Sequence, residues 1–318
     1  MNILTTGANG YIGSKIAQAL FVEENKITGI DLYSENVPSL ANNTNFKFLK
    51  ADITNTETLQ DEVREADILV HCAALVHKKS TDLSRENYFR VNFEGTKNII
   101  NFLDKGRLKQ IIFFSTVLVY GDISCGIVPD ENTRAHPEDF YGESKIAAEN
   151  AIMEFSEKYR IPYTIFRLAP VYGDFFLLNI NKRIYLPKKL GFYKVGSGEQ
   201  RLSLVSVNNV IDVVSESINN SHFYNQTFIV KDIDDYTINQ LIYFFKELYS
   251  QKRRPVIAIP IAVPMAVFQF LNILMPKKLS YLKYQFKKIA QNSIYSSEKL
   301  LSTGFSPKWN LYNTFQFS

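Results

Sequence analysis

The stretch "DFYGESKIAAENAI" carries Tyr141 and Lys145, four residues apart. On a helix that spacing puts both side chains on one face. A phenol titrates near ~10 and is a poor base at neutral pH. A lysine ammonium beside it stabilises the phenolate and lowers that value. The tyrosine could then take a proton from an alcohol while hydride leaves the same carbon, and the reverse would reduce a ketone. In isolation a Y-x-x-x-K spacing reads as a surface pair. Its position argues for chemistry. It follows an apolar run, "QIIFFST", that ends in Ser115 and Thr116. In open α/β sheets, strand ends of this kind face the ligand. The Thr116 hydroxyl could hold a substrate oxygen against Tyr141.

Such chemistry needs a hydride acceptor, and the first residues, "MNILTTGANGYIGSKIAQAL", supply a place for one. Gly7, Gly10 and Gly13 lie between a short apolar run and a helical one. A tight turn tolerates unusual backbone angles at glycine. A diphosphate resting on a helix N-terminus needs bare N–H groups with no Cβ in the way. Asp31 ends the second apolar run in "KITGIDLY", about 20 residues beyond the glycines, where an acid can accept both ribose hydroxyls of NAD. Neither Leu32 nor Tyr33 is basic, so nothing there would hold the extra phosphate of NADP. Asp52 in "KADIT" could take the adenine amino group. Each acid alone reads equally as a turn or cap residue. In register with the strands, the two favour NAD, with a positive nicotinamide to help stabilise the Tyr141 phenolate.

These residues need a scaffold. Strands are expected at Asn2–Thr6, Lys26–Asp31, Asn45–Leu49, Ile68–Cys72, Gln110–Ser115 and Tyr163–Arg167. Helices are expected at Ile12–Phe21, Glu57–Glu65, Asn87–Lys105 and Tyr141–Lys158. That alternation predicts an α/β protein with a doubly wound (Rossmann) parallel sheet. After Arg167 the rhythm changes. An irregular region is expected to about Gln200, then a strand near 203–205, a helix over 208–219 and a strand over 226–230. The reading is a dinucleotide-binding domain over 1–170, with returns near 203–230, and a smaller C-terminal substrate-binding lobe over 171–318.

Composition narrows the class. The chain has 318 residues, 46% hydrophobic and 21% charged, with a net charge of +4 and acids and bases mixed along its length, which argues against a nucleic-acid partner. Cys72 and Cys125 lack metal-like spacing, so no metal site or disulfide framework is expected. With no secretory leader visible, a cytoplasmic location is expected. The apolar stretch over 255–276, flanked by Lys and Arg, contains Pro260, Pro264 and Pro276, which argue against a straight membrane span. A buried helix over Pro264–Leu274 is expected; peripheral membrane contact is the alternative. Of the four histidines, His71 reads as structural. His77, in the loop after "HCAAL", is a candidate substrate contact.

With these residues in place, the chain resembles the extended short-chain dehydrogenase/reductases of the nucleotide-sugar epimerase/dehydratase family. The likeness is carried by TGANGYIG, GIDLY, ADI, HCAAL, VNFEGTKNII, FFSTVLVYG, YGESK and RLAPVYG. It implies that Gly7, Gly10, Tyr11, Ile12, Gly13, Asp31 and Asp52 hold NAD. Ala73 and Ala74 would line its ribose side, Asn92 would tie the central helix near the site, and Tyr141 and Lys145 would also touch the cofactor. Thr116, Tyr141 and Lys145 match the family's catalytic set, and Arg201 matches an arginine that grips a nucleotide diphosphate. The family's dehydratases carry Asp-Glu directly after the catalytic Thr. Here Val117 and Leu118 stand there, so 4,6-dehydration is not expected. The usual Asn before VYG is Pro170.

The resemblance implies an NAD-dependent nucleotide-sugar epimerase, expected to act at C4, and a homodimer paired through the helices over 87–105 and from 141. The alternatives are an NAD(P)H-dependent reductase of a 4-keto-deoxy nucleotide sugar, a membrane-associated lipid- or steroid-type dehydrogenase, and a non-catalytic dinucleotide sensor.

Overall fold

A computed structural model describes residues 1–21, 24–34, 45–76, 84–122, 126–174, 176–262 and 290–315. His77, Cys125 and the stretch over 264–274 lie outside the described residues.

The centre is a seven-stranded sheet built from β1 (Asn2–Thr6), β2 (Lys26–Asp31), β3 (Phe46–Lys50), β4 (Ile68–His71), β5 (Gln110–Thr116), β6 (Tyr163–Leu168) and a later strand, Gln226–Val230. From one edge the order is Gln226–Val230, β6, β5, β4, β1, β2, β3, and every pair is parallel. The chain winds outward from β1 through β2 to β3, returns to β4 on the other side of β1, and winds outward again. β1 and β4 are therefore where the direction reverses, and the loops leaving them part to form a crevice. β4 and β5 are buried along their whole length, as a sheet covered on both faces requires.

One face is covered by α1 (Tyr11–Ala19) and by a later helix, Val207–Ser217. The other is covered by short α2 (Asp61–Arg64), by the helical stretch over 85–102, and by the long α5 (Phe140–Tyr159). The stretch over 85–102 is α3 (Arg85–Tyr88), a π-helical segment Phe89–Glu94, and α4 (Gly95–Phe102).

Beyond β6 the region expected to be irregular carries structure. β7 (Val171–Tyr172), α6 (Leu178–Ile184) and β8 (Phe192–Val195) precede β9 (Arg201–Ser203) and β10 (Val205–Ser206). α7 (Val207–Ser217) follows, then β11 (Gln226–Val230), β12 (Asp235–Thr237), α8 (Ile238–Leu248) and β13 (Val256–Ile259). These strands pair in twos: β10 with β7, β12 with β9 and β13 with β8. They enclose a second core that includes Tyr172, Ile180, Phe192, Leu241 and Phe245.

Candidate active site

The glycine turn sits at the mouth of the crevice. Gly7 adopts φ +67°, and a Cβ there would lie 2.8 Å from the Ala73 backbone nitrogen. A Cβ on Gly13 would lie 2.2 Å from the Gly7 carbonyl oxygen, so the first turn of α1 can press on the loop only without a side chain. No side chain caps the N-terminus of α1 at Gly10. Its orphan N–H groups and the positive end of the helix thus face an anion's position. Asp31 accepts the Asn9 N–H at 3.0 Å, which brings the acid at the end of β2 to the glycine loop. Asp52 follows β3, and its Oδ1 accepts the Thr54 N–H at 2.8 Å, so one oxygen serves a turn. Ile12 packs half-buried on the sheet core. Tyr11 stacks face to face on Phe176, with centroids 4.4 Å apart, and its buried hydroxyl has no partner among the described residues. The uncapped helix, the side-chain-free turn and this orphaned phenol fit a diphosphate-bridged dinucleotide.

A chain of hydrogen bonds joins this crevice to α5. The Ala73 N–H donates to Thr6 Oγ1 at 3.1 Å, and Thr6 Oγ1 lies 2.5 Å from His71 Nδ1. His71 Nε2 lies 2.9 Å from Thr96 Oγ1, which donates to the Asn92 carbonyl at 2.6 Å. That order of donors makes His71 a neutral imidazole protonated on Nε2. Burial, helped by the charge of Lys145, holds its pKa down to about 3. Asn92, in the π-helical segment, accepts the Leu75 N–H at 2.7 Å and donates to the Leu75 carbonyl and to Ser144 Oγ. Ser144 donates in turn to the Tyr141 carbonyl at 2.8 Å. Asn92 thus ties the loop after β4, with Ala73 and Ala74, to the helix that carries Tyr141.

Asp139 caps α5 by accepting the Gly142 N–H at 2.8 Å. Thr116, at the end of β5, accepts the Leu118 N–H at 3.2 Å and so caps a short turn, Val117–Tyr120. The two caps meet: a Cβ on Gly142 would lie 3.0 Å from the Leu118 carbonyl oxygen. Tyr141 and Thr116 are therefore brought to the same end of the sheet. Val117 is buried and Leu118 partly so, and neither offers an acid or a base. Lys145 is 2% exposed, with Nζ 3.9 Å from the Phe113 ring centroid.

The electrostatics depart from the expected lowering of the phenol by the ammonium. Burial pushes the Tyr141 phenol well above its ordinary value, and Asp139 and Tyr88 push it the same way. Burial also pulls Lys145 down to about 7, against the opposing pull of Glu149 and Cys72. The physical reason is shared. Both groups are removed from water, so each favours its neutral form.

Arg201 lies on β9 in the second lobe. Its guanidinium lies 3.7 Å from Asp235 and is half exposed. Spacing alone does not reveal the Thr6–His71–Thr96 relay, the Tyr11–Phe176 stack, or the buried pair Glu149–Arg167. Only Glu149 left a signal, one further turn along the face of Tyr141 and Lys145.

A doubly wound parallel sheet with a glycine turn after its central strand is a dinucleotide-binding architecture, and Thr116, Tyr141 and Lys145 stand at the adjoining strand ends. The chain belongs to the NAD dependent epimerase/dehydratase family, whose sequence profile matches residues 3–227, and NAD is its cofactor. It is similar to an N-acetyl-alpha-D-glucosaminyl-diphospho-ditrans,octacis-undecaprenol 4-epimerase of Escherichia coli O157:H7, at 25% identity over 98% of this chain and 92% of that protein. A UDP-glucose 4-epimerase of Vibrio cholerae is 27% identical over 82% of this chain and 79% of that one. In fold it resembles a UDP-glucuronic acid 4-epimerase from Bacillus cereus, solved with NAD. The TM-score is 0.76 at 21% identity, over 99% of this chain and 96% of that one. No helix among the described residues is long and apolar enough to cross a membrane.

Proposed function

We propose that the protein is a nucleotide-sugar 4-epimerase with Thr116, Tyr141 and Lys145 as its reacting set. The observation that carries this is the meeting of the Thr116 turn with the N-terminus of α5, at strand ends that also border the glycine crevice. When bound, NAD supplies the acceptor and donor of hydride at the sugar's C4. Gly7, Gly10, Gly13, Tyr11 and Ile12 would hold its diphosphate, Asp31 and Asp52 its ribose and adenine, and Ala73 and Ala74 the wall of the crevice. Tyr141, drawn to its phenolate by the charge of Lys145 and by a positively charged nicotinamide, would take the proton of the C4 hydroxyl and return it, and Thr116 would hold that oxygen. Lys145 would hold a proton beside the phenol. The lobe over 171–318 would bind the sugar and its carrier, with Arg201 on the diphosphate, and two copies would pair through the helical stretch over 85–102 and α5. Val117 and Leu118, apolar where dehydration needs an acid and a base, support epimerisation over 4,6-dehydration.

The test is conversion of UDP-glucose, UDP-galactose and their N-acetyl forms by purified protein with no reductant added. Interconversion is expected, and Tyr141→Phe should lower kcat by roughly 10²- to 10⁴-fold, the usual weight of a general acid–base group. Strict need for added NAD(P)H and a 4-keto sugar would assign the reductase instead, and a 4-keto-6-deoxy product the dehydratase.

A second reading, a sugar carried on polyprenyl diphosphate, is favoured by two observations. The Escherichia coli relative matches nearly end to end. β13 also leaves Val256 and Ile257 exposed beside the exposed Arg253, Lys188 and Lys189. Turnover of an undecaprenyl-diphosphate sugar in vesicles, with no turnover of UDP-sugars, would select it.

A further inference from the structure

Two charged residues are buried behind the reacting set and are unused by the mechanism above. Glu149 is 1% exposed and lies one turn beyond Lys145 on the same face of α5. Arg167, at the end of β6, grips it with both arms: Nε donates to Oε1 at 3.1 Å and NH2 to Oε2 at 2.7 Å. The third arm, NH1, donates to the Tyr120 hydroxyl at 2.9 Å. Tyr120 ends the turn that Thr116 begins, so the pair fastens the Thr116 turn to the helix that carries Tyr141 and Lys145.

The pair also bears on charge. Lys145 faces the Phe113 ring of β5 and feels the imidazole and thiol of His71 and Cys72 at the end of β4 and, on its own helix, Glu149, with Tyr141 one turn back on the same face; through Glu149 it is linked to the guanidinium of β6. Burial holds the His71 imidazole, the Cys72 thiol and the Tyr141 phenol neutral. Glu149 is the acid among the groups named: Arg167 holds it at 2.7 Å, and its charge opposes the lowering of Lys145.

We propose that Glu149 and Arg167 are positioning residues for the reacting set, with Glu149 as the counter-charge of Lys145 and Arg167 as the brake on that charge and the anchor of the Thr116 turn. A pair that served packing alone would act on stability and leave the protonation of Lys145 untouched. A pair that sets the charge must move it in opposite directions when one member or the other is neutralised. This rests on the assignment of Lys145 above, but the measurement does not require turnover.

The experiment follows the Lys145 ammonium by NMR in protein labelled with ¹³C-lysine, assigned with Lys145→Met, in wild type, Glu149→Gln and Arg167→Gln. Removing the anion favours the neutral amine, so Glu149→Gln should move the titration midpoint down by on the order of one pH unit. Freeing the anion from its guanidinium should move the Arg167→Gln midpoint up. The alkaline limb of kcat/KM should follow the same two directions. If either variant fails to fold, Glu149→Asp and Arg167→Lys, which keep charge and loosen geometry, should hold the midpoint and lower kcat at least several-fold. Unchanged midpoints in the neutralised variants, shifts of the same sign, or a midpoint moved by the charge-keeping variants would overturn the proposal. A wild type that turns over no sugar yet shows opposite shifts would sink the epimerase reading and leave this one standing.

Discussion

At the scale of single residues, spacing placed Tyr141 and Lys145 on one helix but did not foretell their electrostatics. Tyr141 and Lys145 were legible because a helix has a fixed period, and the glycines because a turn against another backbone excludes Cβ. The sign of the phenol's shift was not legible. It depends on how much water each group loses, a property of the assembled site, and both are desolvated together. The glycines invite a graded test. A methyl on Gly13 would stand 2.2 Å from a backbone carbonyl oxygen, whereas one on Gly10 would stand 3.1 Å away. Gly13→Ala should abolish NAD binding or folding, and Gly10→Ala should weaken NAD binding more mildly, as read by calorimetric titration. Equal affinities would show that helix–loop contact does not govern the crevice.

At the scale of elements, the first five strands and α5 fell within a residue or two of expectation, because apolar runs between turn signals dominate their sequences. β7 and β8 were missed for a physical reason. Two-residue β7 carries too little periodicity to read, Lys194 interrupts the apolar run of β8, and their partners, β10 and β13, lie tens of residues away. The π-helical segment was likewise invisible, although it changes how the helix presents Asn92. Asn92 is 1% exposed, and its side chain forms three hydrogen bonds, to the Leu75 backbone and to Ser144. Asn92→Ala would leave buried groups unsatisfied and should cost about 3 kcal/mol, from ~1–3 kcal/mol for each. Urea unfolding would measure it. A loss below half that figure would mean that the loop after β4 does not depend on this clasp.

At the scale of the whole molecule, the two halves interlock. β11 adds to the outer edge of β6, and Leu300 and Phe305 enter the same core as Phe166, Val213 and Phe228. Asn209 on α7 accepts the N–H groups of Lys308 and Trp309, and Asp232 accepts the hydroxyls of Tyr172 and Tyr236. The return of 226–230 to the first domain was expected from the sequence, but its pairing with β6 was not, because pairing partner is a property of topology. Phe305 is 4% exposed, so Phe305→Ala should cost about 3–5 kcal/mol, the usual range for emptying such a site. Because the site lies under the dinucleotide fold, the loss should also lower the midpoint of a thermal melt followed with NAD bound. A melt unchanged in midpoint would place this segment outside the cooperative unit.

The late arrival of β11 has a consequence during synthesis. A ribosome making this chain from its N-terminus releases β6 with one flank still bare, and that flank stays bare while some sixty more residues are made. Even then the aromatic floor beneath it waits for Leu300 and Phe305. The nascent dinucleotide half therefore exposes the apolar flank of β6 until β11 has been made, and its floor stays open until Leu300 and Phe305 have followed.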